Sequence, residues 1–164
     1  MEAKLKRFLP MRTLEKERIQ FISLQFTDIL GGIRSLVIPR RDFEDVLHEG
    51  CTFDGSSAGF VGVHQSDLTL RPDITTLRIL PWGEKEKRTA RVICDVYLGD
   101  GKTPFDGDPR AVLRRTLREM KRQLGQGVEF ILAPEMEFYL LIKREDGSFA
   151  PHDQATYFSI PPYD

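Results

Sequence analysis

Gly31-Gly32 stands between two short apolar runs of strand character, and this arrangement constrains the fold more than any other feature of the chain. On one side, Ile22, Leu24 and Phe26 alternate with Ser23 and Gln25, the period-two signature of a half-buried strand. On the other, Ile33 to Ile38 reads as a second strand, stopped by Pro39. The glycines between them permit a tight reversal. Asp42 is then placed to cap a short helix whose apolar face is Phe43, Val46 and Leu47, and Gly50 ends it. Residues 51–75 carry little regular pattern and are rich in Gly, Ser and Asp. A connection of that length inside a compact domain is uncommon unless it is functional. Two further strands are expected at Thr76 to Pro81 and Thr89 to Leu98, separated by the polar stretch Gly83 to Arg88. Strand, strand, helix, long loop, strand, strand predicts a small mixed sheet gripping one helix. That is an α+β domain of the β-grasp kind, preceded by a charged lead-in, Thr13 to Arg18, with a short helix.

Gly101 to Asp108 is dense in Gly, Pro and Asp and marks a boundary, so the chain divides into an N-terminal domain, 1–104, and a second one, 105–164. Asp108 suits an N-cap and Pro109 the first helical turn. Leu113, Leu117, Met120 and Leu124 make an apolar stripe, and Gly125 and Gly127 stop the helix. Val128 through Ile142 reads as extended chain with a bend at Pro134. This helix and strand are expected to open an α/β domain whose remainder is absent. Tyr157 to Asp164 brings no closing element, so the chain reads as cut.

Composition excludes several function classes. With 40% hydrophobic and 30% charged residues the chain supports a core and a solvated surface. Its net charge of −1 gives no global pull toward nucleic acid or anionic lipid. Arg114, Arg115, Arg118, Lys121 and Arg122 read as the wet face of a helix, not as a nucleic-acid patch. No 18-residue apolar run and no export signal is present, so neither a membrane span nor secretion is expected, and the cytoplasm is the default compartment. Cys51 and Cys94 make neither a disulfide framework nor a metal cage, and both are expected to be buried thiols.

Two places could carry chemistry. Glu135 and Glu137, at i and i+2 on an extended segment, share one face with Cβ atoms roughly 7 Å apart. Two such carboxylates either ligate divalent cations, which relieve their repulsion, or lie on the wet face of an edge strand. Phe53-Asp54-Gly55-Ser56-Ser57 lies in the long loop and sets one carboxylate among small polar residues. An acid held by local hydroxyls and amides stays ionised and binds a cation or takes a proton; the alternative is an Asx-turn that only shapes the loop. Asp67 and Asp73 read as turn and cap residues, and His48, His64 and His152 lack the spacing of zinc ligands. Neither a phosphate-cradling Gly-x-x-x-x-Gly-Lys loop nor a dinucleotide fingerprint occurs.

These residues sit in a longer ordered set. Phe53-Asp54-Gly55-Ser56-Ser57 is followed by Gln65-Ser66-Asp67-Leu68, Arg71-Pro72-Asp73, Pro81-Trp82, Cys94-Asp95, Pro104-Phe105-Asp106-Gly107-Asp108-Pro109-Arg110 and Pro134-Glu135-Met136-Glu137-Phe138. In order and spacing these blocks resemble the bacterial and archaeal type I glutamine synthetases, over nearly all of the chain after residue 17. The resemblance implies an ATP-dependent ligase joining ammonia to glutamate through a γ-glutamyl phosphate, in a ring of identical subunits. It implies that the loop of Asp54 completes a neighbouring subunit's active site, with Asp54 binding ammonium and accepting its proton and Ser57 lining the ammonium pocket. It further implies that Glu135 and Glu137 ligate the Mg²⁺ or Mn²⁺ ions used with ATP.

The chain also departs from the family pattern. Ser57 to His64 is one residue shorter than the usual loop, which bears on whether Phe60 fills the place of its aromatic. Gly62 stands where some type I enzymes carry a regulatory arginine, which argues against that form of feedback. The family's remaining ligands fall beyond Asp164, so the chain alone is expected to be inactive. Two other readings remain open at this level: a ligase joining glutamate to a different amine, and a non-catalytic β-grasp interaction module.

Overall fold

The computed structural model describes residues 11–153, 155, 158 and 159, and the chain divides between Val128 and Glu129 into two compact units. Among its described residues, the first contains a five-stranded sheet and three α-helical segments. β1 (Phe21–Thr27), β2 (Ile33–Pro39), β3 (Cys51–Asp54), β4 (Asp67–Ile79) and β5 (Thr89–Leu98) are ordered β2-β1-β5-β4-β3. β1 and β5 run parallel at the centre, and every other pair is antiparallel. A mixed sheet of this order, with the helix α1 (Phe43–Glu49) packed on it, is the expected β-grasp arrangement. The charged lead-in is helical over residues 11–16 and delivers Leu14 into the core.

Alternation decides which face each strand buries. In β1, Ile22, Leu24 and Phe26 point into the core, and in β5 Ala90, Val92, Cys94 and Val96 do the same without a break. Phe43 is the one residue that α1 buries completely, and covering a side chain of that size contributes about 1.5–3 kcal/mol. Asp42 makes no capping hydrogen bond. It closes a short 3-10 turn over Arg40–Asp42 and pairs with Arg41, so α1 is entered from that turn. Gly50, at φ +87°, ends the helix with its N–H donating to the Val46 carbonyl.

The stretch read as one long loop holds a strand and most of another. β3 lies in it, and β4 begins at Asp67, well before the strand expected at Thr76. Three features hide β4 in the sequence. Leu68, Thr69 and Leu70 are buried on both faces, so they show no alternation. Pro72 is tolerated because β3 stops opposite Leu70, leaving β4 with one neighbour where the N–H is missing. Between Asp73 and Arg78 the register shifts, and Thr76 repairs the gap by accepting the Ile93 N–H on its hydroxyl at 2.8 Å.

After β5, α2 (Pro109–Leu124) begins at Asp108, whose side chain accepts the Arg110 N–H, as an N-cap should. In the second unit, residues 129–140 form no regular element, against the extended strand expected there, and among the described residues only β6 (Leu141–Lys143) and β7 (Phe149–Pro151) pair, as a hairpin. The apolar content is present, but a strand exists only where its N–H and C=O groups find a ladder partner. Leu140 O accepts from His152 N–H at 2.9 Å at the edge of the hairpin, and residues 129–139 join no ladder among the described residues. Phe130, Ile131, Leu132, Met136, Phe138 and Tyr139 are accordingly exposed.

Candidate functional site

Asp54 is the last residue of β3, opposite Asp67 of β4, and its side chain is exposed. The chain then turns at once into a 3-10 helix, Gly55–Ala58, closed by Gly59 at φ +72°. Three backbone hydrogen bonds fix the loop to the residue before β4 and to itself: Gly55 N–H donates to Ser66 O at 2.7 Å, Phe60 N–H to Gly55 O at 3.0 Å and Gly59 N–H to Ser56 O at 3.0 Å. A fourth bond runs from Ser56 N–H to the Asp54 side chain, at Oδ1, at 2.9 Å. Gly55 is buried, and a Cβ there would stand 2.4 Å from Leu68 Cδ1, so only glycine lets the loop lie this close to β4.

Around this backbone, four phenylalanines lock the loop's two ends. The Phe53 ring lies 4.8 Å from that of Phe26 on β1, Phe60 lies 6.1 Å from Phe26 and 6.4 Å from Phe53, and Phe105 lies 5.6 Å from Phe60. Such tilted and edge-on contacts add about 0.5–1.5 kcal/mol per pair beyond area burial. Phe60 therefore anchors the far end of the loop.

The carboxylate itself is held by three donors. Oδ1 accepts from Ser56 N–H and from Ser56 Oγ at 2.6 Å, and Oδ2 accepts from Ser57 Oγ at 2.9 Å. The two serine hydroxyls, with the Ser56 amide, hold the Asp54 carboxyl below the usual carboxylate range. The structure thus brings Asp54 and Ser57 together, as an anionic group fixed at the surface.

Glu135 and Glu137 belong to the second unit, in the irregular segment, and both are exposed. Among the described residues no group of three or more His, Cys, Asp or Glu side chains is close enough to hold a metal. The donor chemistry of the pair still fits a hard divalent ion, because Mg²⁺ is commonly held by one or two carboxylates together with substrate phosphates and water. His48, His64 and His152 are exposed and scattered, and His152 Nδ1 faces Asp153 at 3.4 Å.

An ion-pair network that sequence reasoning assigned no role joins α2 to the sheet. Arg110 NH2 meets Asp73 Oδ2 at 2.7 Å, and Arg114 NH1 meets Asp95 Oδ2 at 2.8 Å. Arg110 Nε also lies 2.8 Å from Asp95 Oδ1 but off the hydrogen-bonding direction, so that contact is an ion pair only. Burial works to raise the Asp73 carboxyl, yet Thr75 and Arg110 together hold it below its ordinary value. Asp108 is different: burial pushes its carboxyl up against the Val96 and Arg110 amides that it accepts. The Asp-Pro-Arg triplet signalled the helix start, but nothing local in the sequence shows that Arg110 reaches two other strands.

Comparison with known proteins sets this geometry in a family. The model described as glutamine synthetase, beta-Grasp domain, matches residues 18–99, and that described as glutamine synthetase, catalytic domain, matches residues 106–164. A glutamine synthetase of Methanococcus maripaludis is 43% identical over 162 residues, covering 94% of this chain and 36% of that protein. One from Staphylococcus aureus is 46% identical over 153 residues, covering 92% of this chain and 34% of its own length. The chain therefore spans about a third of the length of the relatives it matches. Among solved structures, a GmaS–ADP complex superposes with TM-score 0.60 at 27% identity, over 69% of this chain and 25% of that one. The cryo-EM structure of Plasmodium falciparum glutamine synthetase gives TM-score 0.60 at 19% identity over 75% and 23%, a likeness of fold. With both matched segments carrying the residues described above, the chain belongs to the glutamine synthetase family.

Proposed function

We propose that this chain supplies the ammonium-binding loop and the first metal ligands of an ATP-dependent glutamate–ammonia ligase. The observation that carries the reading is the Asp54 carboxylate: exposed, ionised, and fixed on a loop that is locked at both ends. A fixed anion at the surface selects a small cation over a neutral amine by simple Coulomb attraction. A carboxylate has about four acceptor positions, and Asp54 uses three of them. The one left, on Oδ2 beside the Ser57 hydroxyl, is where an ammonium N–H docks, and Ser57 completes that pocket.

On this reading the division at 104/105 separates the β-grasp part from the beginning of the catalytic part. Glu135 and Glu137 would hold Mg²⁺ or Mn²⁺ together with the ATP phosphates. Such ions neutralise charge on the transferring phosphoryl group when bound. Glutamate and ATP bind in the catalytic part, and Asp54 reaches the site of a neighbouring identical subunit in a ring-shaped oligomer. The compartment is the cytoplasm. No helix among the described residues is long and apolar enough to cross a membrane.

The test is steady-state kinetics on the complete synthetase. Asp54→Ala is expected to cripple ammonium use, raising the ammonium KM at least about tenfold, while ATP binding stays within about twofold, since the lost interaction belongs to one substrate. Loss of nucleotide affinity instead would overturn the assignment. The 164-residue chain by itself is expected to release no phosphate from ATP in response to glutamate and ammonium.

A further inference from the structure

Asp28 follows β1 directly, and its side chain is almost fully buried, at 2% exposure. Oδ1 accepts from Leu30 N–H at 3.0 Å and Gly32 N–H at 2.8 Å, while Oδ2 meets Arg34 Nε at 2.7 Å. The backbone closes the same turn, with Asp28 N–H donating to Gly32 O and Gly31 N–H to Asp28 O. A Cβ on Gly32 would stand 2.9 Å from Asp28 Oδ2, so a side chain at that position would have to push the carboxylate aside. This single buried anion therefore organises the whole reversal between β1 and β2.

The reversal in turn bears on the Asp54 loop. Ile29 presents its Cδ1 3.3 Å from where a Cβ of Gly59 would lie, and Gly59 is the left-handed residue that closes the loop. Phe26, two residues before Asp28, holds its ring against Phe53 and Phe60, the residues on either side of Asp54–Gly59. The short segment Phe26–Ile29 thus touches the loop at its beginning, its end and its closing glycine.

We propose that Asp28 is a positioning residue for Asp54: the buried carboxylate fixes the β1–β2 turn, and the turn, through Ile29, fixes the loop that carries the Asp54 anion. Its consequence for catalysis rests on the ammonium-site reading of Asp54; its consequence for the loop does not. Two variants separate the links. Asp28→Asn keeps the side-chain shape and removes the charge that Arg34 meets. Ile29→Ala removes the contact with Gly59 and leaves every tie to Asp28 in place, and Ile29 is 56% exposed, so the fold tolerates the change.

Amide hydrogen exchange on the 164-residue chain is the first readout. Protection of Ser56, Gly59 and Phe60 is expected to fall about fivefold in Ile29→Ala and further in Asp28→Asn, while Gly50 and Leu80, bonded elsewhere, stay within about twofold. Unchanged loop amides in both variants, or an equal loss at Gly50 and Leu80, would overturn the proposal. If Asp28→Asn does not fold, Ile29→Ala decides by the same criterion. In the complete synthetase, both variants are expected to raise the ammonium KM severalfold and leave the ATP KM within about twofold. An ammonium KM that does not move in either variant, while Asp54→Ala raises it, defeats the positioning role alone. An ammonium KM that Asp54→Ala leaves unchanged defeats the reading of Asp54 instead.

Discussion

Substituting Gly55 by alanine tests how tightly the Asp54 loop is seated. The new Cβ would lie 2.4 Å from Leu68 Cδ1, 2.8 Å from Leu68 Cγ and 3.1 Å from Val61 Cγ2. Gly55 does not have a positive φ, so the cost is steric and not a matter of backbone preference. Leu68 is 1% exposed, on a strand paired on both sides at that position, and has little room to withdraw. Overpacking a closed core costs about 1–3 kcal/mol, and two close contacts to one immobile side chain put this case at about 2–3 kcal/mol. In a domain of this size that corresponds to a fall in Tm of about 10–20 °C, read by circular dichroism with urea titration as the second measure. Leu68→Ala alone should cost about 2–5 kcal/mol through the cavity it leaves. The double variant should cost less than the two singles together by about 1–2 kcal/mol, because the new methyl occupies the vacated space. A double variant that is additive within about 0.5 kcal/mol would refute the reasoning, since Leu68 would not then be what excludes a side chain at 55.

Arg110→Met leaves the Asp73 and Asp95 carboxylates, both mostly covered, without the cation between them; a loss of about 2 kcal/mol in urea unfolding is expected, partly recovered by adding Asp73→Asn, and no loss would show that the network is ornamental. Ser56→Ala should raise the Asp54 carboxyl toward the 3.8 of an unperturbed aspartate, followed by carbon NMR, and an unmoved midpoint would contradict the hydrogen-bond account. The sign follows from the lowered folded value: the stabilisation from this carboxylate is present above about pH 4 and disappears as pH falls through the folded pKa, so Ser56→Ala narrows the acid range of the loop. Burial raises both thiols, and Cys94 is the deeper, so a disulfide reagent at pH 8 should label half-buried Cys51 first and Cys94 only on unfolding; equal rates would count against that order.

Residues with a short-range cause were legible in the sequence. The alternation of Ile22, Leu24 and Phe26, the glycine pair at the reversal and the Asp108-Pro109 helix start act within a few residues, and each appears where its pattern puts it. β4 was not legible, because its cause lies across the sheet: Leu68–Leu70 are covered on both faces, Pro72 depends on where β3 ends, and the bulge is closed by a hydroxyl accepting from β5. The same division runs through the site. The Asp54-Ser56-Ser57 hydrogen bonds are local and follow from the motif. Arg110, Ile29 and Phe26 act across long separations, and no pattern in their own neighbourhoods announces it. Residues 129–140 show the converse, an apolar composition suited to a strand that stays irregular without a neighbouring ladder among the described residues.

The way Asp54 is held also limits what it can do. Its three donors all favour the ionised form, which makes it a good electrostatic partner for a cation and a poor base. Ammonium is a far weaker acid than a carboxyl group, so a proton passes from one to the other against a steep gradient while those three hydrogen bonds stand. In the state described here Asp54 is therefore built for binding. For it to act as the proton acceptor, the serine ties have to loosen or water has to be excluded around the pair, since either raises the carboxyl toward the ammonium. The exposed carboxylate lacks any such cover among the described residues, and a surface closing over the Asp54 loop would provide it. On the reading proposed above, an anion held from beneath by its loop and open from above is what one subunit would present to another. On that reading, the chain that carries Asp54 would set the binding of the cation, and whatever covers it would set its basicity.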